Sequence, residues 1–308
     1  MQFLLGISFI GILGTILGIK LMIRLRKRNK SMFTVILVGL IGIMSIGLYS
    51  GVTIRAYNIQ RDSNDSRDEI KIVLITDLHS CSHGKNQSKL LKDIKEQAPD
   101  LILMSGDIVD DEAPILGTKE LLEGLKNTVP IYYVTGNHEY FTGHIESVKN
   151  FMKKYGVNVL EEDYLVEEIK GQSLVIAGIS DPKKWELTRQ TGSFYQAYNK
   201  LEEGVKKEKG YKILLSHRPE FVDLYERGTY DLVVSGHAHG GQVRIPGILN
   251  GLYAPNQGAF PKYAGGMYHL SDTTNLVVSR GLSLNWRLPR VFNPPELIVI
   301  TLEGNNEK

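Results

Sequence analysis

Cysteine is nearly absent: the 308 residues contain one, Cys81. No intramolecular disulfide can form, so the fold rests on packing, with metal as the one remaining staple. Charge imbalance is also missing. Thirty-six Lys and Arg face thirty-four Asp and Glu, a net of +2, and no arginine-rich run occurs beyond the N-terminal region. Nucleic acid is therefore not an expected partner. Neither GxxxxGK nor a strand-following GxGxxG occurs, which argues against nucleotide chemistry of the P-loop or dinucleotide kind.

Long uncharged runs are confined to the start. Residues 3–19 carry no charge, and after Lys20 the apolar pattern resumes; residues 32–52 carry none either. Each approaches the roughly 20 residues that cross a hydrocarbon core of about 30 Å. A cleaved signal peptide would need a basic start and a small-residue cleavage site, whereas this chain opens MQFLL and its first run ends in basic residues. The sequence predicts two transmembrane helices in residues 1–54. Between them lies RLRKRNKS, with Arg24, Arg26, Lys27, Arg28, Lys30 and no acid. So basic a loop tends to stay cytoplasmic. The expectation is a multi-pass protein of the cell membrane, with everything after residue 55 on the extracytoplasmic side. Residues 55–69 lack apolar periodicity and read as a polar linker; residues 70–308 read as one domain.

Inside that domain one local grammar recurs. IKIVLITDLHS runs apolar and then reaches Asp77 and His79; PDLILMSGDIVDD reaches Asp107; VPIYYVTGNHEYF reaches Asn137 and His138. YKILLSHRPEF reaches His217, and YDLVVSGHAHGG reaches His237 and His239. Near-continuous apolar stretches fit strands buried on both faces. Helical patterns fall between them at residues 85–98, 113–128, 143–155 and 183–207, which predicts an α/β fold with a mostly parallel sheet. Sites of such sheets lie beyond the C-terminal strand ends. The final strand patterns, NLVVSRG and PPELIVITL, are expected to extend a second sheet packed on the first.

Taken singly, each polar residue has an ordinary reading. Asp77 suits a helix cap, Asp107 suits a turn, Asn137 and His138 suit a turn with an exposed imidazole, and His217 suits a solvated strand end. Only His237 and His239, alternating along one extended segment, point to a ligand cluster on their own. Convergence of five strand ends is what favours a shared centre. Carboxylate and imidazole suit a pair of divalent ions of Mn, Zn or Fe type, and a carboxylate between two such ions offsets their repulsion. Gly106, Gly136, Gly236, Gly240 and Gly241 would let backbone approach a crowded centre.

Asp77-Leu78-His79, Gly106-Asp107, Gly136-Asn137-His138-Glu139, His217 and Gly236-His237-Ala238-His239 resemble, in order and spacing, the calcineurin-like metallophosphoesterase superfamily. The closing VVSRGLSLNWRLPRVFNPPELIVITL is similar to its membrane-associated branch, which includes bacterial phosphodiesterases of the YaeI and YkuE kind. The resemblance covers residues 70–302. It implies a two-sheet sandwich flanked by helices, with Asp77, His79 and His239 on one ion and Asn137, His217 and His237 on a second. Asp107 would bridge both, and His138 would be the catalytic histidine rather than a primary ligand. The implied reaction is hydrolysis of a phosphoester, more readily a diester, by hydroxide held between the ions. The substrate would be a small-molecule or lipid phosphoester. A phosphomonoesterase, a lipid pyrophosphate hydrolase of the cell envelope, and a non-catalytic membrane-attached binding protein are the alternatives. Three roles stay open for His83: substrate contact, control of metal access, or a plain loop position. Cys81 reads as a packed bystander. Arg244, Lys262, Arg280 and Arg287 could bind a second phosphate or simply be solvated.

Overall fold

The computed structural model describes residues 20, 23–24, 26–61, 68–188, 190–284 and 289–304. The chain divides into two compact units, Met1–Tyr49 and Ser50–Lys308.

In the first unit, helix α1 spans Lys30–Gly47. Asn29 opens it in an extended conformation (φ −153°, ψ 97°), and its side chain accepts the Met32 N–H at 3.0 Å, which satisfies a donor the helix cannot. Thr34 and Ser45 return their hydroxyls to the carbonyls of Lys30 and Ile41, so α1 presents no unpaired polar side chain there to an apolar medium. Val35, Val38, Ile41, Met44 and Ile46 are all more than half exposed. Among the described residues, α1 is the one helix long and apolar enough to cross a membrane, with a mean hydropathy of 1.8.

This corrects the expectation of two transmembrane helices. The first apolar run, residues 3–19, lies outside the described residues. The basic segment is not a loop: Arg24, Arg26, Lys27 and Arg28 are helical, as good helix formers will be, and the break falls at Asn29. The multi-pass arrangement is thus replaced by a single apolar helix. The extracytoplasmic assignment, which rested on a loop between two crossings, falls with it.

Two six-stranded sheets build the second unit. The first has the order β1 (Thr53–Arg61), β14 (Glu296–Gly304), β2 (Ile70–Ile75), β3 (Leu101–Ser105), β4 (Ile131–Val134), β5 (Asn158–Val159). All its neighbours are parallel except β14 against β2. The second has the order β12 (Gly266–His269), β13 (Asn275–Val278), β9 (Leu232–Ser235), β8 (Tyr211–Ser216), β7 (Gln172–Ile179), β6 (Asp163–Ile169). There β13, β9, β8 and β7 run parallel and the two edge strands antiparallel.

Strand alternation explains the unbroken apolar runs. Ile72 and Leu74 of β2, with Leu101 and Leu103 of β3, meet Leu174, Ile176, Ile213, Leu215 and Val234 of the other sheet in one core. Their neighbours Val73, Ile75, Ile102 and Met104 face outward onto α2 (Ser88–Glu96), α3 (Leu116–Leu125) and, beyond α4 (Asn137–Phe141), α5 (Ile145–Lys154). Val175, Ala177 and Leu214 instead meet, past the short α6 (Lys183–Leu187), helices α7 (Phe194–Val205) and α8 (Val222–Arg227). Each strand is thus buried on both faces, and each fully buried aliphatic side chain contributes about 1.5–3 kcal/mol.

Three sequence expectations change. Residues 53–61, part of which was read as linker, form β1: Tyr57, Ile59 and Arg61 alternate inward while Asn58 and Gln60 face water. PPELIVITL joins the first sheet, between β1 and β2, and only NLVVSRG extends the second. The 183–207 helix is two helices, parted at Gly192 (φ +107°) and restarted by Ser193, whose hydroxyl accepts the Gln196 N–H.

Candidate metal centre

The C-terminal ends of β2, β3, β4, β8 and β9 deliver Asp77 and His79, Asp107, Asn137 and His138, His217, and His237 and His239. Side-chain hydrogen bonds tie the strand ends together at this edge, the first two between the sheets and the third within the first sheet. The Ser105 hydroxyl donates to Val234 O at 3.0 Å, the His237 N–H to Asp77 Oδ1 at 3.0 Å, and the His138 N–H to Asp107 Oδ1 at 2.9 Å. Close approach leaves no room at Gly136, where an added Cβ would strike the Asp107 carboxylate, or at Gly106, where it would strike the His217 ring.

Two groups of potential ligands result. Asp77, His79, Asp107 and His239 bring ligand atoms within 4.8 Å of one another, as do Asp107, His217 and His237; Asp107 belongs to both. Asn137 lines the same cavity as Asp107 and His237. A third grouping, His79, Asp110 and His138, is less buried.

The fit to cations is tested by what the side chains leave undone. His79 Nε2 and Asn137 Oδ1 are buried without a hydrogen-bond partner, and Asp107 Oδ2 and His217 Nε2 face each other 3.1 Å apart. A buried polar atom left unsatisfied costs about 1–3 kcal/mol. These four atoms in one cluster, all good ligand atoms for borderline divalent ions, fit two cations. The opposite ring nitrogens are occupied: His79 Nδ1 lies 2.8 Å from Asp110, His217 Nδ1 2.9 Å from Ser105 O, His237 Nε2 2.9 Å from Asn256 Oδ1, and His239 Nδ1 3.2 Å from Ser283 Oγ. Such partners fix the ring and direct the other nitrogen to the metal.

Electrostatics agree. Burial alone would raise the Asp107 carboxyl, but His217, His79 and His138 hold it well below the usual carboxylate range. Burial lowers His217, yet Asp107 and Asp77 overcome it and lift the imidazole to about 10. Burial and neighbouring His217 and Arg218 push His237 down to about 3; burial and His79 hold His239 well below its usual range. The neighbouring carboxylates favour positive charge at His217, and a cation satisfies the same potential.

The backbone is strained here. Asp77, His79, Asp107, His237 and His239 all adopt positive φ, between 47° and 65°, a region non-glycine residues avoid at about 1–3 kcal/mol each. Glu139 helps to offset the cost. Its buried carboxylate accepts the N–H groups of Asp107, Ile108, Val109 and Gly136 at 2.7–3.0 Å.

His138 stands apart from the orphaned ligands. Its ring lies 4.4 Å from that of His79, and Nδ1 is 2.5 Å from Asp111 Oδ1. Sequence reasoning missed Asp110, Asp111, Asn256 and Ser283. The first two follow Asp107 by three and four residues inside GDIVDD, so proximity was a usable signal; Asn256 and Ser283 come from remote loops and had none. His83 is buried, donates its N–H to Gln87 and places Nε2 2.8 Å from Leu282 O, pinning the closing segment. Arg280 is locked to buried Glu296 at 2.6 Å, and Arg244 donates to Asn250 O. Arg287 lies outside the described residues.

The two-layer sheet sandwich thus carries, at its strand ends, a histidine–carboxylate centre with two plausible metal-binding groups. The chain belongs to the calcineurin-like phosphoesterase family, whose model matches residues 70–241. An uncharacterized metallophosphoesterase of Helicobacter pylori is 30% identical over 319 residues, covering 99% of this chain and 80% of that protein. One from Campylobacter jejuni is 30% identical over 244 residues, covering 77% of this chain and 60% of its own length. This chain therefore spans less than two thirds of the Campylobacter protein. The NAD nucleotidase of Haemophilus influenzae shares the fold, with a TM-score of 0.50 and 16% identity over 70% of this chain and 46% of that one.

Proposed function

We propose that the protein is a membrane-anchored, metal-dependent phosphodiesterase of the membrane-associated branch of its family. Asp77, His79 and His239 would hold one divalent cation, Asn137, His217 and His237 a second, and Asp107 both. The ions are of Mn, Zn or Fe type. Bound there, two such ions supply Lewis-acid charge and a water of lowered pKa.

The chain's own residues do the rest. Asp107 keeps Oδ1 on the His138 N–H and turns Oδ2 to the ligand cluster, so the same carboxylate fixes both the centre and the helix that carries His138. With Nδ1 committed to Asp111, the proton that His138 can pass to a departing oxygen is on Nε2. The imidazolium form of this ring would also offset negative charge developing on the phosphoryl oxygens.

The observation that carries the diester reading is space on both sides of His138. One cavity of about 380 Å³ runs past His138 to Cys81, Ala113 and Leu284; another of about 300 Å³ runs past it to Phe141, Lys183 and Pro255. A monoester has one substituent to place and a diester has two. Helix α1 supports the anchor. The test is turnover of bis(p-nitrophenyl) phosphate against p-nitrophenyl phosphate by the Mn-, Zn- or Fe-loaded protein. Diester turnover should dominate and disappear with chelation; faster monoester turnover would overturn the diester assignment.

A further inference from the structure

The segment from residue 245 to 260 crosses the mouth of the metal centre with its apolar side chains outward. Ile248 is 84% exposed, Phe260 63%, Tyr253 58%, Ile245 48% and Leu252 40%. Backbone bonds draw the segment together. The Ile245 N–H donates to Leu249 O, the Leu252 N–H to Val243 O and the Phe260 N–H to Leu252 O, while Tyr253–Ala254 (β10) pairs antiparallel with Gly258–Ala259 (β11). Exposed apolar side chains gathered in one such segment suit a docking site.

We propose that residues 245–260 are a lip that docks on an anionic lipid surface and so holds the mouth of the metal centre against it. Three observations select a lipid surface. The sequence holds no carboxylate between Asp231 and Asp272, and Lys262, just past the lip, is exposed; apolar tips beside a cation in a carboxylate-free stretch match an anionic interface. The same chain carries the apolar helix α1, long and apolar enough to cross a membrane. Third, the lip is continuous with the site. Pro255 and Asn256 line the cavity that holds Asp107, Asn137 and His138, and Asn256 Oδ1 meets His237 Nε2 at 2.9 Å. A second copy of the chain is a poorer occupant, since a two-fold contact would set two copies of this carboxylate-free stretch together with no acidic partner in it for Lys262.

The docking proposal stands apart from the reaction, and its test needs no turnover. The full chain is reconstituted in vesicles whose acyl chains are brominated, with and without anionic headgroups. Tryptophan fluorescence is compared for Ile248→Trp on the lip and Tyr195→Trp, 55% exposed on α7; the two native tryptophans give both the same background. Quenching should appear at 248, deepen with anionic lipid, and be absent at 195. Adding Ile248→Asp to Phe260→Trp should weaken docking by about ten-fold, the equivalent of one buried aliphatic side chain, and the quenching at 260 should fall with it. Turnover of soluble bis(p-nitrophenyl) phosphate by Ile248→Asp should stay unchanged, since the residue lies outside the centre. If that substrate is not turned over by any form, the enzymatic reading fails while quenching still decides the lip. Equal or absent quenching at 248 and 195 overturns the proposal, as does a dimer in detergent that Ile248→Asp converts to monomer.

Discussion

Replacing Asp107 by Asn tests the shared carboxylate with the least change of shape. Oδ1 must still accept the His138 N–H at 2.9 Å, so the amide oxygen takes that place. The NH₂ group then points where Oδ2 lies, 3.1 Å from His217 Nε2 and 3.7 Å from His79 Nε2. One negative charge is lost and two donors face the position of the cations. At an effective dielectric of about 20, a unit charge acting on another over ~4 Å contributes about 4 kcal/mol. A divalent ion doubles this, so the loss of affinity is at least about a thousand-fold for each ion. Asp77→Asn removes the same charge from one ligand group only. Metal content after gel filtration should therefore fall toward zero in Asp107→Asn and toward one ion per chain in Asp77→Asn, with circular dichroism unchanged in both. Equal metal loss in the two variants, or two retained ions in Asp107→Asn, would refute the bridging role.

His138→Ala should keep its metal and lose about 10²–10⁴-fold in turnover; loss of both ions with unchanged activity per bound ion would show it to be a ligand. Glu139→Gln leaves an NH₂ group against a cluster of four buried N–H donors and should cost about 2–4 kcal/mol in urea unfolding, whereas a change within about 0.5 kcal/mol would mean the cluster is not what holds the strained turn. Gly136→Ala drives its methyl into the Asp107 carboxylate; metal content should drop with activity, and a fully loaded, active variant would contradict the crowding. Removing bound ions with chelator should lower Tm, since a ligand at 100 times its Kd stabilises by about 2.7 kcal/mol; an unmoved Tm would mean that the folded chain holds no metal.

Much of this was written in local sequence. Each ligand-bearing residue follows an apolar strand within a few positions, because alternation buries both faces of β2, β3, β4, β8 and β9 and leaves only their ends free to be polar. The order of motifs from Asp77 to His239 carried the family, and with it a two-sheet sandwich. Local patterning also found the apolar stretch that became α1, although not where the helix would break: Asn29 caps, and a run of arginines gives no sign of that.

Tertiary structure decided the rest, for the physical reason that long-range pairing leaves no local signature. Tyr57-Asn58-Ile59-Gln60 reads as polar linker until β14 supplies its partner; β14 itself carries a sequence equally fit for either sheet. The positive φ of Asp77, His79, Asp107, His237 and His239 is imposed by what surrounds them, against the preference of every one of those residue types. Asn256 and Ser283 reach His237 and His239 from loops 19 and 44 residues away. Sequence named the atoms that can ligate; only folding chose which nitrogen of each ring is spent on a neighbour and which is left for a cation.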